Sequence, residues 1–172
     1  MWQFLDQHDR AFMGRMQHLP YLRIWRGSAR WFSLSGDGGG YALVIVLLTC
    51  SGGERGLELL RFALLAFAIE LPLYWLLKNS LKRARPCHAL ANVASIVQPH
   101  DKFSLPSGHC AAAFVFASVL SWYWPPLTPL AYGWAAAVGF SRVVLGVHYL
   151  GDVLVGALLG GGAAWLSFYL LG

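Results

Sequence analysis

The chain alternates long apolar stretches with short polar links. Scanned with a window of about 19 residues, it predicts membrane helices at 39–53, 57–78, 108–125, 128–146 and 149–171. The first is short for a hydrocarbon layer that needs about 20 residues, so it draws in flanking Gly and Ser or sits where the bilayer thins. Residues 1–35 follow a different pattern. Trp2, Phe4, Phe12, Met13, Trp25, Trp31 and Phe32 are interleaved with five arginines, and no part stays uncharged for long enough to span. An amphipathic segment lying in the membrane interface is expected there. It lacks the apolar stretch and small-residue cleavage site of a signal peptide, so it is expected to be retained. The fold class expected is all-α: a polytopic transmembrane helix bundle of about five spans with an N-terminal interfacial segment, forming one domain over 1–172 with its chemistry in 78–152.

If each span crosses once, the links fall into two sets. "SGGERG" at 51–56 and "PPLTP" at 125–129 lie on one face and are plain. The opposite face collects the end of the second span, the start of the third, the end of the fourth and the start of the fifth. Lys78, Arg85, Ser107, His109, Arg142, His148 and Asp152 all fall there. The connector 86–106, with prolines at both ends, is expected to cap this face. "GALLGGGAAW" at 156–165 has small residues spaced for close helix contact.

Composition agrees with a membrane protein: 57% of residues are apolar and only 12% charged, outside the usual soluble balance. A net charge of +5 would suggest nucleic acid in a soluble domain. Here the basic residues flank membrane segments, so anionic headgroups or a phosphate substrate are the expected partners, and no nucleic-acid motif is present. Cys50, Cys87 and Cys110 offer neither a disulfide framework nor CxxC spacing; Cys50 is expected to be a buried small hydrophobe.

Three strings carry the chemistry: "KNSLKRARP" at 78–86, "PSGH" at 106–109 and "SRVVLGVHYLGD" at 141–152. Two arginines and a lysine can surround a tetrahedral dianion, the guanidinium groups by paired hydrogen bonds and the ammonium as a point charge. A helix starting at Ser107 would add backbone amides that favour anions, and Gly108 would let the backbone come close. His148 and Asp152, four residues apart, share a helix face, so the carboxylate can orient the imidazole as a nucleophile. His109, from another helix, could protonate a leaving oxygen. Such a site needs no metal or other cofactor, because the basic side chains offset the developing charge.

These strings resemble the signature of the type-2 phosphatidic acid phosphatase superfamily, which also includes vanadium haloperoxidases and glucose-6-phosphatase. The pattern is Lys, six residues, Arg-Pro; then Pro-Ser-Gly-His; then Ser-Arg, five residues, His, three residues, Asp. The chain matches every position. The resemblance implies that His148 is a nucleophile forming a phosphohistidine, supported by Asp152. It further implies that His109 is the general acid and that Lys78, Arg85, Ser107, Gly108 and Arg142 hold phosphoryl oxygens.

Other polar residues have plainer readings. Lys82, Arg83 and Lys102 are expected to be interfacial anchors, and His8, His18, His88 and His100 to be surface or capping residues. Asp37 is expected to cap the first span. Glu70 beside Pro72 fits a functional role or pairing within the bundle equally well. Trp75, Trp122, Tyr123 and Trp124 fit an interfacial belt.

The function expected is that of an integral membrane, metal-independent lipid phosphatase. Its substrate would be a lipid phosphate or diphosphate of the undecaprenyl diphosphate, phosphatidylglycerol phosphate or phosphatidic acid class. Phosphotransfer from the same intermediate, and a lipid or ion transporter, are the competing readings. The resemblance implies a bacterial inner membrane with the site facing the periplasm, whereas the basic residues of 1–35 and 82–102 would argue for the cytoplasmic side. Nothing in the sequence fixes an oligomeric state.

Overall fold

The computed structural model describes residues 2–99 and 101–172, and leaves out the side chains of residues 2–5 and 23. His100 therefore lies outside the described residues, as do the side chains of Trp2 and Phe4. Among the described residues eight α-helices follow one another: α1 (Trp2–Gln17), α2 (Leu22–Ser35), α3 (Gly38–Ser51), α4 (Gly53–Leu81), the short α5 (Pro86–Ala89), α6 (Gly108–Tyr123), α7 (Thr128–Val144) and α8 (Leu150–Leu171). Among the described residues there is no strand.

The α6 helix is central, packing against α4, α7 and α8. Its inward positions are small: Cys110, Ala111, Ala113 and Ala117 are fully buried. The facing surface of α8 is smaller still. A Cβ at Gly156 would stand 2.6 Å from the Ser107 carbonyl oxygen, and one at Gly160 would collide with that of Ala111. The glycines thus let two backbones meet, the close packing that "GALLGGGAAW" suggested. The contact also fixes the start of α6 against the start of α8, where the Ser107 amide donates to the Asp152 carbonyl at 3.0 Å.

The outer surface is apolar. Leu64, Leu76, Leu158, Trp165 and Tyr169 are all exposed, which in a lipid solvent costs nothing. Two helical stretches, Gly53–Ala89 and Leu150–Leu171, are long and apolar enough to cross a membrane. Their length and composition are those of an integral membrane protein. Helices stand at all five expected positions, but the count of five is not reached by length. At 1.5 Å per residue, α3, α6 and α7 are about 21–26 Å long against a hydrocarbon layer of about 30 Å.

The segment before residue 36 is helical and amphipathic, burying Met13, Met16, Leu22 and Ala29. It also packs into the bundle, α2 lying along α7. Ile24–Ser35 and Gly38–Ser51 together are apolar enough for one span, bent by 51° at the Gly36–Asp37 break. The arginines of α2 occupy its first turns, leaving "WFSLS" uncharged. Cys50 also departs from expectation, being exposed rather than buried, because it lies on the outward surface of α3.

Candidate active site

Four local features of the chain build one cavity. The α4 helix ends when Lys82 takes a left-handed conformation (φ 46°), and the chain turns back so that Arg85 becomes buried. The α7 helix ends in a turn at Gly146 (φ 76°), where a Cβ would press on the Ala94 carbonyl at 2.8 Å; only glycine is comfortable there. That turn carries His148 back beneath Arg142, whose carbonyl accepts from the His148 amide at 3.3 Å. The connector 90–107 crosses above, tied by Ile96 N–H to the Leu145 carbonyl and by Ser104 N–H to the Arg83 carbonyl.

Beneath it lies a cavity of about 390 Å³ lined by Arg85, Arg142, His109, His148, Gly108 and Asp101, with Asp37, Glu70 and Tyr74 completing its wall. Arg85, Arg142 and His148 are buried. The Nδ1 atom of His148 donates to the Ser104 carbonyl at 2.7 Å, and Nε2 stands 3.2 Å from Arg85 Nη1. With the proton on Nδ1, Nε2 is the unprotonated nitrogen and accepts from Arg85 Nη1, a group that lines the cavity. Asp152 Oδ2 is 3.7 Å from Nδ1, beyond hydrogen-bond range, and acts as a nearby charge. Its oxygens instead accept from the Tyr149 amide at 2.8 Å and from Arg83 at 2.7 Å. Burial, with the charges of Arg85 and Arg142, outweighs Asp152 and pushes His148 down to about 4, so the imidazole is neutral at physiological pH.

Lys78 and Arg85 converge on one carboxylate. Asp101 accepts from Lys78 Nζ at 2.7 Å and from Arg85 Nη2 at 2.6 Å. Burial alone would raise the Asp101 carboxyl, but hydrogen bonds and charge from Lys78 and Arg85 outweigh it and hold the group at about 2. Tyr74 joins this cluster, its hydroxyl donating to Asp101 at 2.9 Å and accepting from Lys78 at 2.7 Å. Its ring also faces Gly108, where any Cβ would come within 2.9 Å. Ser107 Oγ and Arg142 Nε are among the described buried polar atoms that have no partner. Leaving such a group unsatisfied costs about 1–3 kcal/mol, a deficit that an anion's oxygens could relieve. Arg142 Nη1 donates to Ser33 Oγ of α2.

A match to the model of the PAP2 superfamily covers residues 59–172. The chain belongs to that superfamily. Among the relatives of this PAP2 chain, the lipid A 4'-phosphatase of Bacteroides thetaiotaomicron is 31% identical over 98 residues, spanning 55% of this chain and 44% of that protein. LpxE of Aquifex aeolicus superposes with a TM-score of 0.76 at 28% identity, covering 85% of this chain and 86% of the other. A transmembrane PAP2-type phosphatidylglycerolphosphate phosphatase of Bacillus subtilis gives 0.74 at 27% identity, with 96% and 85% covered.

Of the site residues expected from the sequence of this PAP2 chain, Arg85, Gly108, His109, Arg142 and His148 line the cavity. Lys78 reaches it through Asp101, while Ser107 and Asp152 stand behind it. Sequence reasoning missed Asp101 and Tyr74, which no motif spacing marks, and Ser104, which acts through its backbone. It assigned Asp37 to capping. Asp37 does precede α3 but makes no side-chain cap; its carboxylate is paired with His109 Nε2 at 2.9 Å. Arg83, expected to be an anchor, is held by three carboxylates instead. Lys82, Lys102 and His88 are exposed as expected. Glu70 is buried, with one carboxylate oxygen unpaired.

Proposed function

We propose that the protein removes the terminal phosphate of a membrane lipid phosphate or diphosphate through a phosphohistidine on His148. The observation that carries this reading is the orientation of His148. Its Nδ1 proton is committed to Ser104, so Nε2 is the unprotonated nitrogen, and it meets Arg85 Nη1 at 3.2 Å in a cavity that also presents Arg142 and a second histidine.

In the first step, Nε2 attacks phosphorus in line and the P–O bond to the lipid breaks. Arg85 and Arg142, the Ser107 hydroxyl and the amides opening α6 hold the phosphoryl oxygens, while Lys78 adds a point charge. The leaving oxygen takes a proton from His109, which Asp37 holds at 2.9 Å. In the second step neutral His109 accepts a proton from water, the water oxygen attacks phosphorus and the N–P bond breaks. Inorganic phosphate leaves and His148 is restored. Asp152 balances the imidazolium-like charge on His148 throughout. The chain's own residues supply every proton and charge, so no metal enters the scheme.

The apolar outer surface supports an amphiphilic substrate whose chain stays in lipid while its headgroup enters the cavity lined by Arg85 and Arg142. The undecaprenyl diphosphate, phosphatidylglycerol phosphate and phosphatidic acid classes all meet that requirement. The relatives' names favour phosphatidylglycerol phosphate among these and add lipid A phosphates to them. We place the site on the periplasmic side of a bacterial inner membrane, by family resemblance. Labelling of single cysteines along 90–99 by an impermeant maleimide in intact spheroplasts checks this, with protection from outside as the contrary result. The reaction is tested by phosphate release in detergent with EDTA across those substrates. Release that His148→Ala abolishes supports hydrolysis; transfer to an added alcohol without release would favour phosphotransfer.

A further inference from the structure

The family match begins at residue 59, yet the N-terminal helix α1 is bound directly to the machinery beyond it. Its link is Arg83, whose side chain is only 8% exposed. Its Nη1 donates to Asp152 Oδ1 at 2.7 Å and Asp9 Oδ2 at 2.9 Å, and its Nη2 to Asp6 Oδ1 at 2.8 Å. The guanidinium lies over the Tyr149 ring at 4.1 Å. Asp9 also accepts from the Gly151 amide at 3.0 Å, and Asp6 from Arg10 at 2.6 Å. Thus α1 touches both the carboxylate behind His148 and the first turn of the helix that carries it.

We propose that Arg83, braced by Asp6 and Asp9 of α1, is a positioning residue that holds Asp152 beside His148 and balances its charge. A planar five-donor fork suits this task, since one side chain must meet three carboxylates at once. Charge balance matters as much as geometry. A lone guanidinium at 2.7 Å would draw the Asp152 charge away from the imidazole. The two α1 carboxylates offset it, so the cluster of Arg10, Arg83, Asp6, Asp9 and Asp152 keeps a net negative charge toward His148. The other charges that act on the imidazole, Arg85 and Arg142, are positive, and Asp101 is shared between Arg85 and Lys78. The α1 helix is on this account part of the catalytic assembly, and the proposal rests on His148 as the nucleophile.

The two halves of the cluster predict opposite effects, which a loosened structure would not produce. In the full-length protein, Arg83→Gln frees the Asp152 charge and moves the acid limb of kcat/KM to higher pH, by about 0.5–1 on the pH scale. The Asp6→Asn/Asp9→Asn pair leaves Arg83 less compensated and moves that limb to lower pH. In both, kcat falls about tenfold or more while KM stays within about threefold. Arg83→Lys keeps the native limb and recovers part of kcat, because it keeps the charge without the fork. The same shifts are read without turnover from the 15N imidazole titration of His148 by NMR, so failure of hydrolysis and failure of the brace are told apart. Should Arg83→Gln not fold, the α1 pair, partly exposed in the native protein, carries the test. A common midpoint in all variants, or shifts of one sign in both sets, would overturn the proposal.

Discussion

The Nδ1 atom of His148 lies 2.7 Å from the carbonyl oxygen of Ser104. A main-chain acceptor, two residues before the Pro106-Ser107-Gly108-His109 run, therefore fixes the imidazole tautomer. Asp152, at 3.7 Å, contributes charge rather than the hydrogen bond that the four-residue spacing suggested. Replacing Asp152 by Asn should accordingly lower kcat about 10–1,000-fold without erasing it, since the tautomer survives; the larger losses of a Ser-His-Asp triad follow from loss of the tautomer itself. Single-turnover kinetics with the Asn variant provides the check, and complete inactivity of a folded variant would assign the orienting bond to Asp152 after all.

Acid lability follows from His148 and Asp101. The folded imidazole takes its proton only near 4, whereas an unfolded histidine does so near 6.5. Between these values the unfolded chain binds more protons, so the stability from neutral His148 is full above about 6.5 and lost as the pH falls toward 4. Asp101, held at about 2, loses its contribution at lower pH still. The melting temperature should therefore fall as pH drops from 7 to 4. His148→Ala should flatten that slope, and an unchanged slope would contradict the burial of a neutral imidazole.

Asp101 occupies the donors of Lys78 and Arg85 that are assigned to phosphoryl oxygens. An incoming phosphate must compete with this carboxylate. Asp101→Asn is expected to tighten inorganic phosphate or vanadate inhibition by about tenfold, the ~1.4 kcal/mol scale of one hydrogen bond to a charged group. Competition assays measure this directly. Weaker inhibition would mean that Asp101 organises the two cations more than it blocks them.

Asp37 contacts His109, and that pairing predicts dependence on the leaving group. With Asp37→Asn, turnover of a lipid phosphate, whose alkoxide needs a proton, should fall about 10–100-fold. Turnover of a p-nitrophenyl ester, whose leaving group needs none, should change by less than about threefold. Equal losses on both substrates would remove His109 from the role of general acid.

Much of this architecture is legible in the residue pattern. The apolar runs place helices at all five expected positions, two of them long enough to cross a membrane among the described residues, and the small residues at 156–165 announce the α6–α8 contact. The pattern fails where a contact has no period. Asp101 and Tyr74 meet Lys78 across a connector whose path depends on tertiary packing, and Ser104 acts through a carbonyl that any residue possesses. Asp37 sits where a capping residue belongs, so its local reading conceals the longer contact to His109. Arg83, two residues before the motif arginine, looks like an interfacial anchor until α1 folds back on it. The arginines of α2 similarly conceal its apolar second half, which continues into α3 across the bend.

The central claim, that His148 Nε2 becomes phosphorylated during turnover, is tested most directly by trapping. Protein mixed with a 32P-labelled lipid phosphate, quenched in alkali within milliseconds and digested, should yield an alkali-stable, acid-labile label on the peptide containing His148. The label should be absent from His148→Ala. Steady hydrolysis with no labelled peptide, or the same label in His148→Ala, would contradict the account.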